Sequence, residues 1–161
     1  MKIAMVRVDE RLIHGQITMS WTRTVGANLI LCVNDDVANN SFQKNLMKMA
    51  APPGAKVEIE SVDAAAEKLN TQAWSNASIL FLVRNPIDLL RLVRKGLSID
   101  RVNVGGVRSP EATIKLTKEV SATPAEMEAW KELDGMGIRI EVQFLPNQGS
   151  TLLNDVLKKH G

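Results

Sequence analysis

Short runs of Val, Ile and Leu alternate along this chain with segments whose apolar residues recur every three or four positions. The runs Lys2–Val8, Leu29–Val33, Lys56–Ile59, Ile79–Val83, Arg101–Val104 and Ile138–Val142 have the length and the β-branched content of buried strands. The stretches between them carry helical spacing. That alternation predicts an α/β fold: three layers, α/β/α, built on an open, mostly parallel sheet of about six strands with helices on both faces.

The helices are punctuated by residues that start and stop them. Ile17, Trp21 and Val25 repeat every fourth residue, facing the sheet, up to Gly26. Ser61 is placed to cap Val62–Leu69, and Ala51-Pro52-Pro53-Gly54 ends the helix before it. Asn85-Pro86-Ile87-Asp88 supplies a cap, a proline at the first helical position and an early acid, with Gly96 closing that helix. Thr123-Pro124-Ala125-Glu126 is a capping-box pattern ahead of Met127, Trp130 and Leu133. Leu152, Leu153, Val156 and Leu157 give a last amphipathic helix. Gly105–Ser121 shows neither period, and a connection of that length either serves a function or contains an element that periodicity misses. Without repeats, low-complexity stretches or linkers, residues 1–161 read as one domain.

Charge and composition narrow the function classes. Twenty Lys and Arg against eighteen Asp and Glu leave +2, spread without a basic block, and with three Trp, three Phe and no Tyr there is no aromatic-rich stripe, so nucleic acid is a poor partner. Cys32, the only cysteine, lies inside Leu29–Val33 and reads as an inert buried thiol; no Cys/His cluster has zinc spacing. No metal and no cofactor are expected. The N-terminal apolar run reaches charged Arg7, Asp9, Glu10 and Arg11 too soon for a signal peptide or membrane span, so a cytoplasmic location without direct membrane insertion is expected.

The candidate chemistry centres on Asp9-Glu10-Arg11-Leu12-Ile13-His14-Gly15-Gln16, between the first strand and the following helix. An imidazole there has what a phosphoryl acceptor needs. It is substantially neutral near pH 7, and whichever ring nitrogen is not held by a neighbour is free to attack phosphorus. Asp9 or a loop carbonyl could hold the other. Arg11 offers a forked donor for phosphate, while the unpaired N–H groups opening the helix, at Gly15 and Gln16, favour an anion, with Gly15 allowing close backbone approach. Arg84-Asn85-Pro86 and Val104-Gly105-Gly106 also follow strands, so His14 could face a cleft walled by these two segments. On local grounds alone Asn85-Pro86 is a helix start and Gly105-Gly106 a tight turn. Neither matches a nucleotide-binding loop.

Arg7-Val8-Asp9-Glu10-Arg11-Leu12-Ile13-His14-Gly15-Gln16 closely resembles the signature of the IIB components of the mannose/fructose/sorbose family of the bacterial sugar phosphotransferase system. The resemblance continues through Asn34-Asp35-Asp36-Val37, Ala51-Pro52-Pro53-Gly54, Asn85-Pro86 with Asp88, Asn103-Val104-Gly105-Gly106, Val120-Ser121 and the stretch from Leu133 to Ile138, nearly the whole chain. It implies a phosphotransferase that accepts a phosphoryl group on His14 from a phosphohistidine of IIA. The group then passes to a sugar brought in by the membrane components IIC and IID, at the inner face of the membrane. Arg11 takes the family's phosphate-partner position, and Asp9 the acidic position that sets the loop and the imidazole. Because several partners must reach His14, it is expected to be exposed within a partly apolar surface, with Leu12 and Ile13 either at its rim or packed under the loop.

The chain departs from the family after Gly106, where a Met and a later Gly-(Lys/Arg)-x-Gln pattern are replaced by Val107 and Ala112-Thr113-Ile114-Lys115. No role carries over to Arg108, Thr113 or Lys115; Arg108 and Lys115 either help attract a phosphorylated partner or neutralise phosphate, or are solvated loop charges. His160, among Lys158 and Lys159, reads as a cation near a helix end. Two rival readings stay open: a receiver-like regulatory or ligand-binding module with Asp9, Asp35 and Asp36 around magnesium, and a family paralogue with another role.

Overall fold

A computed structural model describes residues 1–160. Among them the elements run β1 (Lys2–Val8), α1 (Gly15–Val25), β2 (Leu29–Val33), α2 (Asp35–Ala38), α3 (Ser41–Met49), β3 (Lys56–Glu60), α4 (Val62–Leu69), β4 (Ser78–Val83), α5 (Pro86–Arg94) and β5 (Arg101–Val104). They continue with β6 (Ile114–Lys115), β7 (Ser121–Ala122), α6 (Pro124–Gly135), β8 (Arg139–Val142), β9 (Thr151–Leu152) and α7 (Leu153–Lys159). The main sheet has seven strands in the order β3-β2-β4-β1-β5-β8-β9, parallel except for β9.

The six expected strands form the parallel part, and the seventh is an addition. Leu152, which its spacing assigns to the last helix, instead pairs antiparallel with Glu141, as Thr151 does with Val142, so α7 begins at Leu153. A two-residue edge strand has no period of its own; only its partner defines it. Within Gly105–Ser121 the pattern likewise missed short pairings. Ile114 and Lys115 pair with Ala122 and Ser121, and Val107 bridges Val120.

The strands are apolar on both faces because both are covered. Leu29, Leu31 and Val33 of β2, with Ile79, Phe81 and Val83 of β4, enter a core shared with α4 to α7. Ile30, Cys32, Leu80 and Leu82 point the other way, into a core with Leu12, Trp21 and Val37 under the layer of α1 to α3. Burial pushes the Cys32 thiol up to about 12, with nearby Arg84 opposing, so it is the inert hydrophobe its sequence context indicates.

Helix ends follow the sequence signals. Asn85, Ser61 and Thr123 accept from the backbone N–H groups of Asp88, Ala64 and Glu126, and the Glu126 side chain reciprocates to Thr123 N. Gly26 ends α1 at φ 69°.

Topology places the loops that matter. From β1 the chain crosses to β2 on one side of the sheet, while from β5 it crosses to β8 on the other, so the strand order reverses beside β1. The loops after β4, β1 and β5 therefore converge at the carboxyl end of three neighbouring strands, where open α/β sheets bind ligands. No helix of the described residues is long and apolar enough to cross a membrane.

Candidate active site

The site begins with two charges at the carboxyl end of the central strand. Arg7 in β1 and Asp9 just beyond its end are 2% and 1% exposed, a position that charged groups tolerate only when paired and fully hydrogen-bonded. The Arg7 guanidinium is satisfied by Asn103 Oδ1, by the carbonyls of Gln143 at 2.9 Å and Phe144 at 3.2 Å, and by Asp9 Oδ2 at 3.2 Å. The Trp21 ring lies 5.1 Å from its Cζ, and Trp21 Nε1 donates to the Phe144 carbonyl at 3.0 Å. Arg7 thus ties β1, β5, α1 and the segment after β8 into one rigid block.

Asp9 passes that rigidity to the loop. Its Oδ1 accepts the Arg11 N–H at 3.0 Å, and its Oδ2, already bonded to Arg7, lies 2.9 Å from His14 Nε2. Burial pushes the carboxyl up, but the bond from His14, the Arg11 N–H and the charges of His14 and Arg7 outweigh it, leaving the group below its ordinary value and ionised. Arg7, lowered by burial and held up by Asp9, has so high an intrinsic value that it stays a cation.

His14 is the N-cap residue of α1; its N–H donates to Thr18 Oγ1 at 2.9 Å, and no side chain caps the helix. A carboxylate has no proton to give, so Asp9 selects the tautomer with hydrogen on Nε2 and leaves the Nδ1 lone pair free. The imidazole side chain is 16% exposed, with most of the ring held in the wall and an edge open.

The loop reaches this geometry through two left-handed residues, Leu12 at φ 58° and Gly15 at φ 52°. Leu12 is 1% exposed and packs with Trp21 and Ile30, so it belongs to the core, not to a rim around His14; Ile13 is half-buried against the same cluster. Burial of Leu12 offsets its backbone cost, which for a non-glycine residue is about 1–2 kcal/mol.

Gly105 is needed for close approach, not for a turn, because a Cβ there would lie 2.3 Å from Asp9 Oδ2 and 2.4 Å from an Arg7 guanidinium nitrogen. Arg11 is exposed, and its side chain makes no hydrogen bond among the described residues, which leaves it free to meet an incoming anion. Gly15 and Gln16 open α1, with no acidic residue in its first turn. Arg7 and Asn103 carry no signal of a role in their spacing. The clue to Arg7 was a charge two residues before Asp9 in a central strand.

The acidic trio of a receiver-like site does not assemble. Asp9 follows β1 and Asp35 follows β2, with β4 between, so their strands are about 10 Å apart. Asp35 is occupied by Arg91 at 2.9 Å and the Val62 N–H at 2.9 Å, and no group of metal-ligating side chains forms among the described residues.

Comparison with known proteins agrees with this fold. The family described as "PTS system sorbose subfamily IIB component" matches residues 3–161. The sorbose-specific EIIB component of Klebsiella pneumoniae is 34% identical over 159 residues, 99% of this chain and 97% of that protein. The mannose-specific EIIAB component of Escherichia coli K12 is 32% identical over 99% of this chain, which spans 49% of it. The crystal structure of the IIBSor domain of the Klebsiella pneumoniae sorbose permease superposes with a TM-score of 0.93, covering 100% of this chain and 99% of that one at 34% identity. For the N-acetylgalactosamine-specific IIB component 1 of Escherichia coli the TM-score is 0.86 at 27% identity, over 92% of this chain and 97% of that one. The chain belongs to the sorbose-subfamily IIB components, the phosphotransferases of the sugar phosphotransferase system.

Proposed function

We propose that His14 is the residue phosphorylated in this IIB component, that Nδ1 is the reacting nitrogen, and that residues 1–161 act as one phosphocarrier domain. The observation that carries the assignment is the 2.9 Å contact of Nε2 with Asp9 Oδ2, which turns the unprotonated nitrogen away from the carboxylate. In-line attack by Nδ1 on a phosphohistidine of the IIA partner forms the new N–P bond as the donor N–P bond breaks. Transfer onward to a sugar hydroxyl reverses the roles. Such transfers need positioning and charge stabilisation more than covalent help. Arg11 and the opening N–H groups of α1, at Gly15 and Gln16, supply the charge. Asp9 stabilises the imidazolium character that develops as the nitrogen bonds phosphorus.

A IIA partner is supported by the EIIAB relative, whose name joins the two components in one protein. The IIC and IID membrane components are the corresponding partners that bring in the sugar acceptor, with the chain working at the inner membrane face. Incubation with phosphorylated IIA tests the reading: wild type takes an acid-labile, base-stable label mapped to His14, and His14→Ala takes none. Label persisting on a folded His14→Ala protein overturns it.

A further inference from the structure

Nine arginines are distributed along the chain, and five of them, Arg7, Arg91, Arg94, Arg101 and Arg139, pair with carboxylates. Among the described residues the four without such a partner are Arg11, Arg23, Arg84 and Arg108. Three of these four, Arg11, Arg84 and Arg108, line a single cleft of about 420 Å³ at the carboxyl ends of β1, β4 and β5. His14 is not part of its lining; the cleft adjoins the His14 loop through Glu10 and Arg11.

The cleft is held open by backbone bonds, not by ion pairs. Arg84 Nε donates to the Glu10 carbonyl at 3.0 Å, which leaves its two terminal nitrogens without a partner. Two carboxylates share the cleft and are held away from the guanidiniums by backbone donors, leaving a net positive lining: Glu10 accepts the Arg108 N–H, and Glu126, 7% exposed, accepts the Thr123 N–H at 2.9 Å. Ser109 Oγ is buried with no hydrogen-bond partner, an arrangement that costs free energy unless something else completes it. Three guanidiniums suit a dianion, since each presents a planar fork to phosphate oxygens. The Ser109 hydroxyl, the amide of Asn85 and the second oxygen of Glu10 suit neutral hydroxyls beside it. The volume falls within the range of about 300–1,000 Å³ typical of small-molecule sites.

We infer that this cleft binds a sugar phosphate, a dianionic monoester on a polyhydroxylated body, with Arg84 and Arg108 as its principal anion ligands and Ser109 as a hydroxyl partner. The inference rests on the phosphoryl-relay reading for its choice of ligand, since the relay's product is a phosphate monoester of a sugar. Product held beside Arg11 competes for the charge that the His14 phosphoryl group uses, so the cleft makes the carrier sensitive to product. It also gives a use to Val107–Pro110, part of the stretch in which this chain departs from its family's pattern.

Titration of the unphosphorylated full chain by calorimetry and NMR, with glucose 6-phosphate as probe, tests this. Saturable binding is expected, weaker for inorganic phosphate and absent for glucose. Arg108→Ala, which removes a side chain with no hydrogen bond among the described residues, weakens glucose 6-phosphate binding about tenfold, the loss typical of one charge-assisted bond. Arg84→Lys and Ser109→Ala weaken it several-fold. Arg23→Ala, which removes an unpaired arginine outside the cleft, leaves binding unchanged, as does His14→Ala. Absence of saturable binding at millimolar probe, or equal losses for Arg23→Ala and Arg108→Ala, overturns the inference. So does loss of IIA-driven labelling in Arg108→Ala without any glucose 6-phosphate binding in wild type, which would make the cleft a protein-docking surface. Failure of the relay reads out separately: His14 would then take no label from phosphorylated IIA whatever the cleft binds.

Discussion

His14 Nε2 and Asp9 Oδ2 are 2.9 Å apart, and the same carboxylate oxygen receives the buried Arg7 guanidinium at 3.2 Å. One oxygen therefore joins a half-buried ring at the surface to a cation in the middle of the sheet. Orientation of the ring is a property of the core as much as of the loop.

Replacing Asp9 by Asn is expected to damage both ends of this link. The amide is neutral, so Arg7 keeps its burial but loses its counter-charge, and truncation of one partner of a buried pair costs about 3–5 kcal/mol. An amide can also offer N–H to Nε2, which favours the wrong tautomer. Chemical denaturation should show a large stability loss, and transfer from phosphorylated IIA, followed under conditions where the variant is folded, should slow by at least an order of magnitude.

Gly105 and Gly106 form a matched pair of tests. A Cβ on Gly105 meets the Arg7–Asp9 pair, whereas one on Gly106 meets nothing within 4 Å. Gly105→Ala should cost about 1–3 kcal/mol, the range for overpacking a filled interior, and should slow labelling of His14. Gly106→Ala should leave the labelling rate unchanged. Equal effects would separate the glycine from the ion pair.

Leu12 combines a left-handed backbone at φ 58° with 1% exposure. Leu12→Ala loses buried surface and retains the strain, for an expected cost of about 2–5 kcal/mol. Leu12→Gly loses the same packing but relieves the strain, so it should be no less stable than Leu12→Ala, the reverse of the usual order for the two residues. Thermal melts of the two variants decide it.

Acid stability should carry the signature of Asp9. Its folded pKa lies below the ordinary value, because its hydrogen bonds and neighbouring cations outweigh the upward push of burial. A depressed carboxyl contributes stability that is present above its unfolded value, about 3.9, and lost as pH falls through its folded value. The stability difference between wild type and Asp9→Asn should therefore be constant near neutrality and shrink only below about pH 4. A difference that disappears between pH 7 and 5 would assign the linkage to another group.

Arg7 shows where reading along the chain loses reach. Arg7-Val8-Asp9 is legible as a motif, and Asp9 as a partner for the imidazole was one of two options the loop allowed. The partners of Arg7 come from Asn103, Gln143 and Phe144, about a hundred residues and more along the chain, and from Trp21 on α1. Similarly, Gly105 has the same neighbours in sequence whether it makes a turn or makes room. Only the approach of β1 to β5 decides between them.

The sequence by itself determined the α/β class, the parallel strands, the helix caps at Ser61, Asn85 and Thr123, and the position of His14 between β1 and α1. Each of these depends on period, local side-chain-to-backbone bonds or motif, all of which lie within a few residues. Tertiary structure alone decided the seventh strand, the burial of Leu12, which ring nitrogen of His14 meets Asp9, and the addition of Arg108 to the cleft beside Arg11 and Arg84. Those depend on which strands become neighbours, because pairing across the sheet joins groups that no local pattern relates.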